Sequence, residues 1–427
     1  MLPDLIEIVP PPAGPRHSTV VLPGSKSLTN RALVLAALAT RPVTLTGALW
    51  SEDTQAMVEC LHRLGFAVTV APDPAEPANR SFVVAGAGGR IPNGGTADAP
   101  LDLFVENAGT AARFLPPMLC LGNGVYRLSG IPRMHERPQA ALVHSLRALG
   151  YRIDTPNDRL PAVVHGAGPK PGAACTVSVE ESSQFASALL LCADLGGWTI
   201  DVTGGNEDEL PYVDMTRRLV KDFPRDGGTY AIEADASGAS YFWGADWLLR
   251  PLGRRVHVAP VPRSGMQADQ KFLDLVATPD TWQPVFSRQS DLADSIMTAI
   301  VLAPFAPAPT RFTELGRLRV QECERVAALR TELAKCGATV VESGDTLAVT
   351  PGPLPLPLHG AEIETYNDHR VAMCFGMLGL VVPGMVLRNP ACVRKTFPNF
   401  FAKLAEVGAT VRDAKTGKTL AGDDLLA

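Results

Sequence analysis

The sequence predicts an α/β (α+β) protein of two similar globular domains, and three observations carry that expectation. The first is length: 427 residues exceed what one simple core accommodates, so two domains are the default. The second is repetition, which decides architecture before single elements do. Six times, a small-residue apolar helix runs into a short β-like segment: 29 to 47, 110 to 130, 182 to 204, 238 to 258, 294 to 315 and 368 to 387. The third is a shorter helix that ends near Gly and enters a strand, as in LHRLGFAVTV (61 to 70), LRALGYRIDT (146 to 155), LAKCGATVV (333 to 341) and LAEVGATVR (404 to 412). Gly at those exits fits a left-handed C-cap.

The third and fourth copies lack the second signal, and their helices are inferred at about 214 to 224 and 270 to 277. Six copies of a two-helix, multi-strand unit then cover most of the chain, three per domain. Pro- and Gly-rich stretches such as APDPAEPANR (71 to 80) and PGPLPLPLHG (351 to 360) read as loops, because alternating apolar segments resume on either side. The apolar first helices are polar only at their starts, TNR, TAAR, SSQ, DS and DHR, and are expected to be buried. If the copies pack around common axes, those starts converge and their dipoles add to an attraction for anions.

Composition narrows the function. Apolar residues make up 46% and charged residues 19%, which argues against long disordered regions. A net charge of −5 argues against a general nucleic-acid binder, so anion affinity must come from local Lys and Arg and points to small anionic ligands. The N-terminal MLPDLIEIVPPPAG lacks a basic start followed by an apolar core, and no segment keeps 18 apolar residues free of Pro or charge. A soluble, cytoplasmic chain without a membrane partner is expected. The eight Cys show no CxxC and no Cys/His zinc spacing, so buried free thiols are expected and a metal site is not.

The run LPGSKSLTNRA (22 to 32) sets Lys26, Ser27, Thr29, Asn30 and Arg31 after a Pro-Gly bend and before an apolar stretch. Backbone amides, the Ser25, Ser27 and Thr29 hydroxyls, and the two cations suit a carboxylate or phosphate at a helix N-terminus. An N-capped helix with solvated basic residues is the other reading of this segment. GSKS lacks the earlier Gly of a P-loop, and no GxGxxG follows a strand.

Equivalent points of the other copies extend the inventory: Asn107, Gly109, Thr110 and Arg113 in NAGTAAR, Arg133 and Arg137 in PRMHERP, and Ser182, Ser183 and Gln184. The second half adds Asp294, Glu322 and Arg325, then Asp368, His369 and Arg370 in YNDHR, and Lys395. Each has a plain structural alternative. Asp294 and Asp368 suit N-caps, Glu322 suits an ion pair with Arg325 or Arg319, and a lone His369 suits a structural role.

LPGSKSLTNRA, NAGTAAR, PRMHERP, SSQFASALL, RVQECER, YNDHRVAM and KTFP, in that order, resemble the enolpyruvyl transferase family, nearest the branch that uses shikimate 3-phosphate. The resemblance implies two domains, 21 to 234 and 1 to 20 with 235 to 427, each of three βαβαββ-like units, closing like a clamp. It implies transfer of the enolpyruvyl group of phosphoenolpyruvate to the 5-hydroxyl of shikimate 3-phosphate, in the route to chorismate and aromatic amino acids. It calls for no metal and no organic cofactor.

By the same resemblance, Lys26, Asn107, Gly109, Arg137, Gln184, Arg325, Arg370 and Lys395 face phosphoenolpyruvate. Lys26, Ser27, Arg31, Ser182, Ser183, Gln184, Tyr212, Asp294, Arg317 and Gln321 face shikimate 3-phosphate, with Ser27 and Arg31 near the ring carboxylate and Ser182 and Ser183 near the phosphate. Glu322 corresponds to the acid that protonates the methylene carbon, Asp294 to the base at the hydroxyl, and Lys26 to a group assisting proton transfer. Retained Gly109 implies inhibition by glyphosate in competition with phosphoenolpyruvate.

Three positions depart from the family around the acceptor: Glu209, where Ser is frequent, Arg317 for Asn, and Gln321 for Lys. They leave two alternatives, a transferase for another cyclitol or a nucleotide, and a non-catalytic anion-binding relative. The retained Asp294, Glu322 and Lys26 oppose the second. The loop GIPRMHERP lacks the Cys usual in transferases acting on UDP-N-acetylglucosamine. Because the pseudo-repeats satisfy their own interfaces, a monomer is expected.

Overall fold

The computed structural model describes residues 2–204, 210–260, 262–276, 281–353 and 357–427. The chain divides into two compact units, one of Gly24–Glu233 and one of Met1–Pro23 with Ala234–Ala427.

In the unit Gly24–Glu233, the strand Val43–Leu49 pairs in parallel with Gly228–Ala231 and antiparallel with Asn79–Val84, which in turn pairs antiparallel with Val68–Pro72. The next copy repeats the pattern. Val125–Ser129 lies parallel to Leu101–Phe104 and antiparallel to Ala162–His165, which carries Arg152–Asp154 on its far side. Among the described residues the third copy keeps only the parallel pair, Ala174–Ser178 with Thr199–Thr203.

The other unit has the same three-sheet composition. Thr310–Thr313 and Met385–Arg388 each lead a four-stranded sheet with one parallel and two antiparallel pairings, the second sheet completed by the chain's first strand, Leu5–Val9. Among the described residues the fourth copy again keeps only a parallel pair, Arg254–Ala259 with Arg16–Val21. The copies that lack the Gly-terminated helix signal are therefore the two that lack the antiparallel hairpin, since that helix is what delivers the chain to it.

The helices divide into the two predicted kinds. Lys26–Leu38 is buried from Leu28 to its end, and every residue of Gly109–Cys120 is buried. Ala236–Leu249 is nearly as enclosed, with its aromatic rings in the core of its unit. By contrast Glu52–Arg63 is amphipathic, its first turn acidic and its last basic, in keeping with the helix dipole. The four exits at Gly65, Gly150, Gly337 and Gly408 have φ of +87°, +88°, +88° and +109°, where a Cβ is strained.

Two helix positions differ from expectation. The helix inferred at about 214 to 224 spans Leu210–Asp222, with Pro211 in its first turn, where a missing N–H is harmless. Asp294 does not cap a helix: it sits in the 3₁₀ turn Ala293–Ser295, ahead of Ile296–Leu302. Among the described residues, no helix is long and apolar enough to cross a membrane, and no three His, Cys, Asp or Glu side chains group as metal ligands. All eight cysteines are free thiols.

Candidate active site

In the unit Gly24–Glu233, Lys26 opens the helix Lys26–Leu38, and its Nζ lies 3.2 Å from Asp53 Oδ2. Asp53 is buried in the first turn of Glu52–Arg63, a turn pinned by Ser51 N–H donating to Thr54 Oγ1 at 2.9 Å. The lysine at the start of one helix is thus aimed by the acidic start of the next.

Arg31, one turn further along, is 1% exposed. Its Nε donates to Thr216 Oγ1 at 2.8 Å, Nη1 to the Ser27 carbonyl at 2.9 Å and Nη2 to Ser187 Oγ at 3.0 Å, while the guanidinium lies 5.0 Å from the Phe114 ring centroid. Among the described residues no carboxylate pairs with it. Burial pulls the guanidinium down to about 10, partly offset by Tyr212. A buried cation whose protein partners are neutral is costly unless an anion joins it.

Thr29 corrects the reading of its hydroxyl as ligand-facing, and Asn30 beside it also turns inward. Both are fully buried; Thr29 Oγ1 accepts from Leu49 N–H, and Asn30 Nδ2 donates to Thr110 Oγ1 at 2.6 Å. They tie their helix to its neighbours.

The helix Gly109–Cys120 begins among arginines. Arg113 Nη1 donates to the Gly109 carbonyl at 3.2 Å, and Arg137 Nη1 donates to the Asn107 carbonyl at 3.4 Å. A Cβ on Gly109 would lie 3.0 Å from Arg137 Nη2 and 3.1 Å from Arg113 Nη1. A side chain here would push both guanidinium groups back by a few tenths of an ångström. Arg133 instead pairs with Glu136 at the surface.

Ser182 caps the helix Ser183–Gly196 by accepting from Gln184 N–H, and Ser182 and Ser183 are both buried. Further along this helix, Ser187 Oγ donates to the Tyr212 carbonyl at 3.3 Å and accepts from Thr216 Oγ1 at 2.9 Å. Arg31, Ser187, Thr216 and Tyr212 form one network across three helices.

The second unit gathers Asp294, Glu322, Arg325, Arg370 and Lys395. Arg325 is 1% exposed; its Nε donates to Asp368 Oδ2 at 2.7 Å and its Nη2 to Glu322 Oε2 at 2.7 Å. Lys395 Nζ holds the other Glu322 oxygen at 2.8 Å. Asp368, fully buried, also caps the helix His369–Leu378 by accepting from Arg370 N–H. Glu322 therefore pairs with Arg325, while Arg319 engages Glu324, Glu342 and Asp345.

Asp294 lies 3.0 Å from Arg288 Nη2, 3.4 Å from Arg370 Nη2 and 4.0 Å from Arg325 Nη1. Burial resists its ionisation, but Arg370, Arg288 and Arg325 outweigh it and hold the carboxyl well below the usual range. Arg370 is steadied by Nη1 donating to Ser237 Oγ at 2.6 Å. Behind them, buried Asp269 accepts from Ser295 N–H at 2.9 Å. Burial pushes its carboxyl up to about 6, opposed by Arg370 and reinforced by Asp294 and Asp235.

Asp53, Ser187, Thr216, Arg288 and Asp269 escaped the reading of the sequence. Asp53 alone carried a signal, a Ser-Glu-Asp-Thr helix start; Ser187, Thr216 and Asp269 meet partners 25 or more residues away, and Arg288 reaches Asp294 across six residues of irregular turn. Arg317 sits half-buried in the turn Gly316–Val320 with Gln321 just after it, and Glu209 lies outside the described residues.

Two chemistries coexist in these arrangements: cations fit for a ligand with carboxylate and phosphate groups, and two carboxylates, Glu322 and Asp294, each held by more than one cation. Residues 12–404 match the family model described as EPSP synthase (3-phosphoshikimate 1-carboxyvinyltransferase). The chain belongs to the EPSP synthase family. A family relative from Opitutus terrae named 3-phosphoshikimate 1-carboxyvinyltransferase is 39% identical, the match covering 95% of this chain and 97% of the relative. One of the same name from Nostoc punctiforme is 35% identical over 95% and 99%. The solved EPSP synthase from Acinetobacter baumannii superposes with a TM-score of 0.75 at 19% identity, over 96% of this chain and all of that one. The enolpyruvyl transferase NikO from Streptomyces tendae follows at 0.68 and 18%, over 98% and 99%. At those identities the two structures speak to the shared fold.

Proposed function

We propose that the chain transfers the enolpyruvyl group of phosphoenolpyruvate to the 5-hydroxyl of shikimate 3-phosphate and releases phosphate, a reading in keeping with its relatives' name, 3-phosphoshikimate 1-carboxyvinyltransferase. The observation that carries the reading is Glu322 bracketed by Arg325 and Lys395 beside Asp294 bracketed by Arg288 and Arg370. Charges so arranged respond to an incoming anion.

When the carboxylate and phosphate of phosphoenolpyruvate engage Arg325, Arg370 and Lys395, the two acidic side chains lose part of their compensation and their affinity for a proton rises. Asp294 then takes the proton of the 5-hydroxyl as that oxygen bonds to C2 of the enolpyruvyl group, and Glu322 delivers a proton to the methylene carbon. The adduct carries a methyl group and phosphate on one carbon. Return of a methyl proton to the protein and cleavage of the C–O bond to phosphate regenerate the double bond on the product. The methyl proton returns to Glu322 and the proton held by Asp294 leaves with the phosphate, so both carboxyl groups end as they began.

In the other unit, Gly109, Asn107, Arg137, Gln184 and Lys26 are assigned to phosphoenolpyruvate. Ser27 and Arg31 are assigned to the ring carboxylate, and Ser182, Ser183 and Tyr212 to the acceptor's phosphate. Buried Arg31, without a carboxylate partner among the described residues, supports an anionic group on the acceptor. Arg317 and Gln321 complete the acceptor side.

The test is phosphate release from phosphoenolpyruvate by purified protein without added metal, using shikimate 3-phosphate, shikimate or UMP as acceptor. Release only with shikimate 3-phosphate is expected. Release only with another acceptor reassigns Arg317 and Gln321 to a changed substrate, and silence with all three ends the transferase reading.

A further inference from the structure

The helix Gly109–Cys120 carries consecutive prolines, Pro116 and Pro117, in its interior. Proline has no N–H, so each deprives the carbonyl four residues earlier of its helical donor. For Pro116 that carbonyl belongs to Ala112, which is fully buried and out of reach of solvent. A buried carbonyl in this position needs a donor from elsewhere.

Gln139 supplies it. Its Nε2 donates to the Ala112 carbonyl at 3.1 Å, and the side chain is 2% exposed. It occupies the junction between the short helix Pro132–Glu136 and the helix Ala140–Ala148, and makes no side-chain cap for the latter. Its Oε1 has no partner among the described residues, so the bond to Ala112 is the polar contact that fixes this amide.

The two preceding residues are fastened to the same helix start. Pro138 accepts from Arg113 Nη2 at 2.9 Å, and Arg137 Nη1 donates to the Asn107 carbonyl at 3.4 Å. Arg137, Pro138 and Gln139 thus lie along the first turn like a clasp, with Gly109 against the guanidinium groups of Arg137 and Arg113. The carbonyl that Pro116 frees is what gives the clasp its last hold.

We propose that Gln139 is a positioning residue for Arg137: by replacing the hydrogen bond that Pro116 withholds, it sets the placement of that guanidinium over the first turn of Gly109–Cys120. The proposal rests on the transferase reading and names a group through which phosphoenolpyruvate affinity is set. Gln139 acts through Arg137 and does not itself meet the ligand.

The experiment compares Gln139→Leu, Pro116→Ala and the double variant with wild type in steady-state kinetics. Gln139→Leu keeps the bulk and removes the donor. It is expected to raise KM for phosphoenolpyruvate about tenfold, the scale of one lost buried hydrogen bond, with kcat and KM for shikimate 3-phosphate nearly unchanged. Pro116→Ala returns an N–H beneath the Ala112 carbonyl and satisfies it without tethering residue 139, so the double variant is expected to keep the raised KM while recovering any stability lost in Gln139→Leu. A purely structural role for Gln139 predicts losses in all parameters together.

An unchanged KM in Gln139→Leu, or a raised KM that Pro116→Ala returns to the wild-type value, overturns the proposal while wild-type turnover leaves the transferase reading standing. If Gln139→Leu alone fails to fold, the double variant is read against wild type: a raised KM for phosphoenolpyruvate supports the proposal and a wild-type one defeats it. Wild-type protein that releases no phosphate with any acceptor removes the reading and this role with it.

Discussion

Lys26 and Asp53 form an ion pair of 3.2 Å between the first turns of two successive helices, with the carboxylate buried and the ammonium one-fifth exposed. A lysine assigned to charge stabilisation during proton transfer needs one orientation, and a four-carbon stem does not supply it. Asp53 does. Asp53→Asn keeps the shape and removes the charge, and is expected to lower kcat at least about tenfold, short of the loss in Lys26→Met. Circular dichroism should remain that of wild type. If Asp53→Asn turns over at the wild-type rate, the pair is only part of the packing.

Gly109 carries a second prediction. A methyl group there would stand 3.0 Å from Arg137 Nη2, tighter than an ordinary contact, so the guanidinium must yield by a few tenths of an ångström. Because the yielding group is the end of a flexible side chain, the fold should survive. Gly109→Ala is expected to raise KM for phosphoenolpyruvate several-fold, about 1 kcal/mol in binding, and to weaken glyphosate inhibition by more. Inhibition of wild type is expected to be competitive with phosphoenolpyruvate; a noncompetitive pattern would separate the two ligands.

The repeat architecture was legible because its signals are local. Small apolar helices and the glycines at 65, 150, 337 and 408 declare themselves within about ten residues, and the two copies without the second signal proved to be those with a two-stranded sheet. The polar start of each helix was legible too, but not which side of it each residue faces. Thr29 and Asn30 sit in the same motif as Lys26 and Arg31 yet turn into the packing between helices. Partners across distance were hidden: Thr216 and Ser187 reach Arg31 from 185 and 156 residues away, and Arg325 finds Asp368 across 43. Topology decides such meetings.

Asp269 makes a prediction about stability and pH. Its carboxyl is raised from 3.8 to about 6, burial being the largest cause, with Asp294 and Asp235 adding to it and Arg370 and the Ser295 N–H opposing. A folded-state value above the unfolded one means the folded chain holds this proton more tightly. Its stabilising effect is complete below pH 4 and is lost as pH rises through 6. Asp269→Asn keeps an acceptor for Ser295 N–H and has no proton to lose. Its stability in urea should match wild type near pH 4 and exceed it at pH 7 by up to about 3 kcal/mol. A deficit that is constant across this range would show that the carboxylate is needed in its charged form.

Glu322 and Asp294 separate binding from chemistry. In the ligand-free arrangement Glu322 occupies Arg325 and Lys395, the same cations assigned to phosphoenolpyruvate, so the carboxylate and the ligand compete for them. Glu322→Gln removes the competitor's charge while keeping its shape. Equilibrium titration should show phosphoenolpyruvate bound as tightly as by wild type or tighter, although kcat falls about a thousandfold, within the range for loss of a general acid. Asp294→Asn should also cut kcat by two or more orders of magnitude, on the same ground. It leaves the Arg370, Arg288 and Arg325 cluster with one negative charge fewer, which again favours an anionic ligand. Weakened binding with preserved turnover in either variant would mean that these carboxylates hold the arginines in place and move no proton. Tight binding with lost turnover is the signature of groups whose interaction energy is realised in the reaction and not in the bound complex.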